Sequence, residues 1–590
     1  MKKSIIYGML TVVGASLTGC NDFLDDNRWP LDTIIDDSNA WNQEVVVQSE
    51  INALYNNFYG YGNGTGRNGT FYFESLNDDQ VGSWGSSVQF NTWKHLQTPG
   101  TSSVWNTTYE VIRKCNNIIT NLEKSTLHYT AVESFTGEAK LNRAWQYYDL
   151  VRHFGDVPLI LTVLSPNDEA ELYGARTDRD KVMDQALEDI NYAIEHITRK
   201  SGKTEFSRDL AYAVKAEICL FEAAYAKYHK NDVARANKFY GEVVSACESL
   251  MGGTYELCDD YASLYNSVYT AVPGIGSLLS NKEVIFMKPY QQGVKSHSLV
   301  KYTNSGEILG MSKDAFENYL FIDGKPMSQQ TDKQDKGAVT ITKYTDKDGK
   351  EQTNIDIDIT ACLAVRDKRL AATIDDHVFY RKATWARPNG TQMASMSGYG
   401  VKKFWNQYLT LYYATTDNQS YTNAPLYWLA EIYLAYAEAK AELGTLSNDD
   451  LNKSINRLYK RAGLPEQTVA GLEAIADPAN NMGISSLLWE IRRCRRCELM
   501  FDKGQRYWDL VRWHQLEILD NTKYPNISLG AYAGEALNEV FINNVNGYID
   551  TFQGSERKFT AREYLFPLGI DQLNLNKNLV QNPGWESPSK

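Results

Sequence analysis

The sequence predicts a mainly α-helical protein, in which helical hairpins of the tetratricopeptide type are interrupted by long irregular insertions and a few short strands. Three observations support this fold class. Apolar residues recur at three- and four-residue spacings in several long segments, which is the period of a helix buried on one face. Two alanine-rich segments, at 210–250 and 426–461, share a sequence pattern. Glycine-rich and alternating segments lie between the helical ones.

The first segment of the chain is predicted to be an export signal. Two lysines precede an apolar run at residues 5–17, which is too short for a helix that spans a bilayer core of about 30 Å. The run ends in Leu-Thr-Gly-Cys, which resembles a bacterial lipobox, where cleavage precedes the cysteine and the cysteine is acylated. We therefore expect residues 1–19 to be a lipoprotein signal peptide, Cys20 to carry the lipid, and residues 20–40 to form a lipid-anchored tether. The alternative is an ordinary exported protein with a chance cysteine at its cleavage site.

The clearest helix is predicted over Glu138–Phe154, with an apolar face formed by Leu141, Trp145, Tyr148 and Val151. Gly155 supplies the turn that ends this helix, and Pro158 forbids its continuation.

Two helical hairpins are predicted farther along the chain. The first pairs Leu210–Lys227 with Val233–Leu250, and the second pairs Leu426–Leu443 with Leu451–Arg461. The sequence Ala-Glu-Ile at 216–218 recurs at 430–432, and further matches follow at the same offset. This similarity indicates a repeat architecture, in which each hairpin buries its apolar face against its neighbour.

Two insertions are predicted to be irregular. Residues 60–100 contain glycines that break any helix, interleaved with aromatic residues. Residues 343–359 alternate like a β-hairpin with Asp348 and Gly349 in the turn. A calcium loop of the EF-hand type is excluded at this turn, because Glu351 and Ile357 stand where that motif needs glycine and glutamate.

Composition narrows the class of partner. The net charge of −13 argues against nucleic acid or an anionic lipid surface, since both require an excess of basic residues.

Seven scattered cysteines beyond Cys20 do not form a disulfide framework, and the spacing of Cys494 and Cys497 is attributed to chance. The 38 tyrosines and 13 tryptophans, against 20 phenylalanines, indicate stacking surfaces, although tyrosines at helix seams would explain many of them.

No catalytic residue, cofactor or metal site is predicted, because the motifs for nucleophilic, zinc and phosphate chemistry are missing from the sequence. The best acidic cluster, Glu74, Asp78 and Asp79, is assigned to ligand hydrogen bonding or loop capping rather than to catalysis. A group of arginines is predicted to form ion pairs between packed helices, with anion binding as the alternative; its members are Arg492, Arg493, Arg495 and Arg496.

Five ordered features of the chain resemble one family. They are the lipobox followed by Asn-Asp-Phe-Leu-Asp at 21–25, the block 138–159, the block 429–439, the block 498–513 with Gly-Gln-Arg-Tyr-Trp-Asp-Leu-Val-Arg-Trp at 504–513, and the tail from Leu-Phe-Pro-Leu at 565–568 to Gln-Asn-Pro-Gly-Trp at 581–585. From Cys20 to Trp585, the chain resembles the SusD/RagB family.

This resemblance implies a single SusD-like domain at residues 41–590. About four tetratricopeptide-like helical pairs would form a curved support, and the ligand-binding insertions would lie at about 60–100 and 255–425. The resemblance further implies a surface-exposed outer-membrane lipoprotein that binds an oligosaccharide and delivers it to a SusC-like TonB-dependent transporter. The shared blocks are expected to be scaffold, so that Arg506, Trp508 and Trp513 pack rather than bind.

Candidate binding residues are therefore sought in the insertions. A pyranose presents an apolar face that an indole or phenol ring can cover, and its hydroxyls need paired donors and acceptors. The predicted ligand-binding residues are Asp78, Asp79, Trp84, Asn91, Trp93, Tyr290, Tyr302, Trp385 and Trp405. For each ring the alternative is burial between an insertion and the scaffold.

Three other functions stay open at the level of sequence. The chief alternative is the capture of oligopeptides, as in RagB-type members of the same family. A hydrolase that acts on a glycan with the same scaffold is a second, and a structural surface protein without a ligand is a third.

Overall fold

A computed structural model describes residues 39–64, 69–71, 76–82, 93, 96–304, 309–332, 335–378, 387–388, 390, 395–534 and 544–586. Cys20, the predicted signal peptide and the predicted tether up to residue 38 lie outside the described residues. The predicted fold class is confirmed, because the protein is mainly helical with a few short strands.

The helices of the described residues, in chain order, are α1 (Glu44–Leu54), α2 (Ser103–Leu122), α3 (Tyr129–Phe154), α4 (Glu169–Leu172), α5 (Arg179–His196), α6 (Arg208–Lys230), α7 (Val233–Met251), α8 (Ser263–Asn266), α9 (Leu299–Asn304), α10 (Lys313–Asn318), α11 (Thr360–Ala364), α12 (Lys368–Thr373), α13 (Leu411–Thr415), α14 (Leu429–Glu442), α15 (Asn448–Lys453), α16 (Ile455–Ala462), α17 (Val469–Glu473), α18 (Ser486–Glu498), α19 (Gln505–Arg512) and α20 (Ile570–Leu575).

The strands of the described residues are β1 (Gln80–Gly82), β2 (Val284–Lys288), β3 (Leu309–Met311), β4 (Ala338–Thr345), β5 (Glu351–Asp358), β6 (Ile374–Val378), β7 (Tyr399–Val401), β8 (Ala424–Trp428), β9 (Leu529–Tyr532), β10 (Asn544–Val545) and β11 (Tyr548–Asp550). All pairs are antiparallel: β1 pairs with β3, β2 with β8, and β10 with β11 and then β9. The remaining sheet runs β4-β5-β6-β7.

The long helices pack in sequence and form the scaffold. Helix α2 lies on α3, α3 on α5, α5 on α6, α6 on α7, α7 on α14 and α14 on α18, while α19 returns to α6. Serine and aspartate side chains cap several N-termini, for example Ser207 on the amide of Leu210 and Asp232 on that of Arg235. One large apolar core runs through these helices and extends under β2 and β8.

Several predicted element boundaries agree with the structure, but α3 begins at Tyr129, nine residues before the predicted start at Glu138. Helix α3 ends at Phe154, and Gly155 has the left-handed φ of +73° that favours glycine. The predicted turn at Asp348 and Gly349 joins β4 to β5.

The start of the second hairpin is a correction. The predicted helix Leu426–Leu443 begins only at Leu429, because Ala424–Trp428 pair with β2 as strand β8. Its partner segment is broken at Ser454 into α15 and α16. Among the described helices, none combines the length and the apolar character needed to cross a membrane.

Candidate functional site

The insertion that precedes β8 carries exposed aromatic side chains. Tyr408 and Tyr412 are 57% and 55% exposed, and Leu411 between them is also exposed. Tyr413 and Tyr421 lie behind them, partly buried against a small apolar cluster. We call Tyr408, Tyr412, Tyr413 and Tyr421 the tyrosine surface. Large exposed rings of this kind, gathered in one place, mark a site of interaction.

The local sequence explains why these rings are held outwards. Leu409 is buried with Val268 and Ile275, so that the residues on either side of Leu409 are directed away from the protein. The Oδ1 atom of Asn406 accepts a hydrogen bond of 3.0 Å from the amide of Tyr408. The ring of Tyr408 lies directly on Gly274, where an added Cβ would come within 2.6 Å of the ring. Any side chain at position 274 would clash with the ring of Tyr408, so glycine is needed there.

The rings are mutually oriented by edge-to-face packing. The ring centroids of Tyr412 and Tyr413 are 5.3 Å apart with an interplanar angle of 76°. Those of Tyr413 and Tyr421 are 5.2 Å apart at 90°. The Tyr413 hydroxyl also accepts a hydrogen bond from the side chain of Gln292. Because the inner rings are fixed in this way, Tyr412 is held in place at little further entropic cost when a ligand binds.

A polar group borders the tyrosine surface just after α13, where α13 packs on α9. The carboxylate of Asp417 accepts hydrogen bonds from Lys301 Nζ at 3.1 Å and from Tyr302 Oη at 3.2 Å, and also from Ser298 Oγ. Burial raises the pKa of Asp417, but these hydrogen bonds and the charge of Lys301 outweigh it and hold the pKa below its usual value. Lys301 and Asp417 keep about 30% of their side chains exposed, so this charged pair is accessible to polar groups of a ligand.

Of the predicted binding residues, Tyr302 is the one that lies at this site. Trp405 is half-buried three residues before Tyr408, and the guanidinium of Arg387 stands 4.8 Å from the centroid of its ring. Trp84, Asn91 and Trp385 lie outside the described residues.

Four predicted binding residues are buried, and their burial argues against the role assigned to them. Both carboxylate oxygens of Asp78 accept hydrogen bonds of 2.8 Å from Arg506, and Asp79 accepts one of 2.6 Å from Arg496. The guanidinium of Arg557 lies over Trp93, 5.0 Å from the centroid of the indole ring.

Tyr290 is the fourth of these buried residues. It is 1% exposed and donates its hydroxyl to the carbonyl oxygen of Gly62 at 2.6 Å. Together, the four side chains hold the insertions onto the rest of the protein, and in this structure they offer no surface to a ligand.

The predicted ion pairs of the arginine cluster are confirmed. Arg492 contacts Glu442, Arg493 contacts Glu490 and Asp477, Arg495 contacts Asp509, and Arg496 contacts Asp79 and Asp314. Arg506 is paired with Asp78, and Trp513 is buried with its indole N–H on Glu438, as expected of scaffold residues.

The sequence interpretation missed Tyr408, Tyr412, Lys301 and Asp417. A usable signal existed: four tyrosines at 408–421 are separated by threonine, asparagine and aspartate, a composition that favours exposed aromatic side chains. The site holds stacking rings, one ion pair and neutral polar groups, which suits reversible binding. Within the described ranges, no cluster of three or more His, Cys, Asp or Glu side chains is arranged to hold a metal ion.

The helical scaffold and its aromatic insertion define a repeat protein of the tetratricopeptide-like type with a group of exposed tyrosine rings on one insertion. The chain belongs to the SusD family, because the sequence model of that family matches residues 280–585, just over half of the chain. A second model, described as "Starch-binding associating with outer membrane", matches residues 31–220.

Known proteins of similar sequence and fold agree with this membership. A SusD-like protein of Formosa agariphila is 25% identical over 497 residues, which cover 82% of this chain and 80% of that protein. The solved structure of a SusD-like carbohydrate-binding protein of Bacteroides fragilis superposes with a TM-score of 0.69 at 20% identity and covers 92% of this chain and all of that one. A second SusD-like protein of the same species gives a TM-score of 0.65 at 24% identity, over 94% of this chain and all of its own.

Proposed function

We propose that this protein is a non-enzymatic glycan receptor of the cell surface, which binds an oligosaccharide on the tyrosine surface and delivers it to a SusC-like TonB-dependent transporter of the outer membrane. The observation that carries the proposal is the pair of exposed rings, Tyr408 and Tyr412, beside the accessible Asp417–Lys301 pair. The rings can cover the apolar faces of two sugar residues, while the charged pair and Gln292 can hydrogen-bond to their hydroxyls.

The relatives support the same ligand class. The first of the two Bacteroides fragilis proteins is named as a carbohydrate-binding protein, and a further structural relative is a surface glycan-binding protein of Bacteroides uniformis, with a TM-score of 0.58 at 16% identity. The second family model is named for starch binding and for the outer membrane. We extend the ligand class, and not a particular sugar, to this chain.

Replacing Tyr412 or Tyr408 by alanine is expected to weaken oligosaccharide binding about fivefold for each ring, because each change removes about 1 kcal/mol of stacking. The measurement is isothermal titration of the purified protein against a panel of neutral and acidic oligosaccharides. Tyr173→Ala is the matched control, since Tyr173 is similarly exposed but lies on the loop after α4.

The same panel separates this proposal from the alternatives. Full affinity in both tyrosine variants would remove the tyrosine surface from the binding site. Binding of oligopeptides in place of sugars would establish the peptide-capture function, and new reducing ends in the incubated glycan would establish a hydrolase. The absence of any ligand would favour a structural role.

Replacing Cys20 by alanine is expected to release the protein from the outer membrane, because the cysteine would no longer carry acyl chains. Each buried CH₂ of such chains contributes about 0.8 kcal/mol to membrane binding. Cell fractionation of the producing bacterium should find the wild-type chain in the membrane fraction and the Cys20→Ala variant outside it. Retention of the variant in the membrane would contradict the predicted lipid anchor.

A further inference from the structure

A cavity of about 540 Å³ opens in the scaffold, away from the insertion that carries the tyrosine surface. It lies between α2, α3 and the segments at 57–59 and 69–70, and Lys503 and Trp508 also line it. Its volume falls within the range of about 300–1,000 Å³ that is typical of sites for small molecules. Three aromatic side chains line it, namely Tyr59, Trp145 and Trp508.

Two polar side chains in the wall have no hydrogen-bond partner among the described residues. Gln146 and Thr108 are each 4% exposed, and within the described part of the chain neither side chain makes a hydrogen bond. Neither residue has a polar atom among those that are both unpaired and cut off from solvent, so their polar atoms face the open cavity. The amide of Gln146 and the hydroxyl of Thr108 are therefore available to a molecule in the cavity.

The carboxylate of Asp149 adds an acceptor to the same wall. Its Oδ1 atom accepts hydrogen bonds from Nε and Nη2 of Arg152, at 2.9 Å and 2.5 Å. Its Oδ2 atom accepts none from the described residues. The guanidinium of Arg152 lies over Trp508, 4.5 Å from the ring centroid, so the pair is fixed in orientation.

The charges around the cavity are compensated. Arg152 is paired with Asp149, and Lys503 is paired with Glu431 at 2.5 Å and donates to the carbonyl oxygen of Leu426. Burial lowers the pKa of His153, which favours the neutral form of its ring. Since each cation in the wall already has a carboxylate partner, we expect an uncharged ligand to bind in preference to an acid or a base.

We propose that this cavity is a second ligand site, which binds one or two residues of a neutral sugar through Gln146, Thr108 and Asp149, against the ring of Trp145. Stacking rings beside an unpaired amide, an unpaired hydroxyl and one open carboxylate oxygen suit a ligand that has both apolar faces and hydroxyls. The choice of a sugar rests on the proposed function, but the site is separate from the tyrosine surface. The protein would then hold a glycan at two places.

The test is isothermal titration of the purified full-length protein with maltose, cellobiose and xylobiose, and with digalacturonic acid as a charged probe. Gln146→Leu is expected to weaken binding of a neutral disaccharide about tenfold, since one or two hydrogen bonds are lost. Gln146→Leu should leave the thermal midpoint close to that of the wild type, because the amide faces the cavity and hydrogen-bonds to none of the described residues. Gln48→Leu on the exposed side of α1 is the matched control.

A second variant keeps the test independent of packing around Gln146. Val104 is exposed at the mouth of the cavity, so Val104→Trp should block entry without disturbing the core and should also weaken binding at least tenfold. The double variant Tyr408→Ala/Tyr412→Ala should keep the cavity component of binding.

The outcomes distinguish this inference from the proposed function. If disaccharide binding is lost in the double tyrosine variant and unchanged in Gln146→Leu and Val104→Trp, the cavity holds solvent only, and the inference is overturned while the proposed function stands. Binding that survives in the double tyrosine variant and is lost in both cavity variants supports the cavity site. Tighter binding of digalacturonic acid than of the neutral disaccharides, or no binding of any disaccharide, would also overturn it.

Discussion

Replacing Arg512 by methionine is expected to lower the free energy of unfolding by about 3–5 kcal/mol, because it leaves a carboxylate buried without its cation. Arg512 donates to both oxygens of Glu438, at 2.6 Å and 2.7 Å, and Trp513 donates its indole N–H to the same group at 2.7 Å. Glu438 is fully buried. The bidentate pair joins α14 to α19 and thereby ties the second hairpin to the end of the scaffold.

The pH dependence of stability gives this prediction a second readout. Burial raises the pKa of Glu438, but the guanidinium of Arg512 outweighs burial, and the result is a pKa of about 2. Since the folded pKa is below the unfolded value of about 4.3, this group stabilises the wild type above that value, and the contribution is lost as the pH falls towards 2. In Arg512→Met, burial is left as the larger effect and raises the pKa, so the carboxyl should instead destabilise the fold as the pH rises above about 4.3.

The measurement is urea denaturation, followed by tryptophan fluorescence and circular dichroism at pH 4 and pH 7. A second change, Glu438→Gln, should recover part of the loss in the Arg512→Met background, since it removes the buried charge. Lys282→Met is the control, because Lys282 and Glu256 form a solvent-exposed pair whose loss should hardly change the stability. A loss in Arg512→Met that is as small as in this control would contradict the argument.

Much of the scaffold could be predicted because its signals are local. The apolar period of α3 and the glycine at its end lie within one segment, so Phe154 is identified as the last helical residue. Strand β8 could not be predicted in the same way. The apolar run at Leu426–Trp428 is compatible with either a helix or a buried strand, and its pairing with β2, some 140 positions earlier, decides between them.

The candidate site was less predictable, because exposure depends on contacts that are distant in sequence. Asp78 and Asp79 have the residue type and position of ligand-binding carboxylates, but the arginines that neutralise them lie more than 400 positions later. Tyrosine can serve in a core or on a surface, so the sequence could not tell the buried Tyr290 from the exposed Tyr412. What separates them is packing: Tyr290 fits under the turn at Gly62, while Leu409 fills the small core and leaves Tyr412 outside.

Replacing Arg496 by methionine is the second change with a large expected effect, and its effect should be local. Arg496 donates to Asp79 at 2.6 Å and to Asp314 at 2.8 Å, and it contacts Asp78 at 3.1 Å. Without it, Asp79 is buried beside a second carboxylate with no hydrogen-bonded cation. Burial already raises the pKa of Asp79 to about 6 in the presence of Arg496. We expect a loss of about 3–5 kcal/mol in the stability of this region.

The loss of stability should be confined to residues 76–82 and to residues 309–318, which contact them. Ser312 donates its amide to the carbonyl oxygen of Asp79 at 2.9 Å, and β1 pairs with β3 immediately after it. Because these contacts depend on the position of residues 78 and 79, the two segments should open together while α6 and α7 stay closed. Hydrogen exchange measured by mass spectrometry should therefore show lost protection in peptides from 76–82 and 309–318, and unchanged protection in peptides from 208–251.

A compensating variant shows whether the buried charge is the cause. Asp79→Asn in the Arg496→Met background removes one of the two adjacent carboxylates, while Asp78 keeps its bidentate partner Arg506. In the double variant, protection from hydrogen exchange should return in part. The recovery should be clearest at pH 7, where ionisation of the Asp79 carboxyl is most favoured in the Arg496→Met variant. Since its folded pKa is raised, Asp79 destabilises this region increasingly as the pH rises from about 4 to 6, and asparagine has no such dependence. If the double variant is as open as Arg496→Met at every pH, the loss comes from packing of the arginine and not from the uncompensated charge.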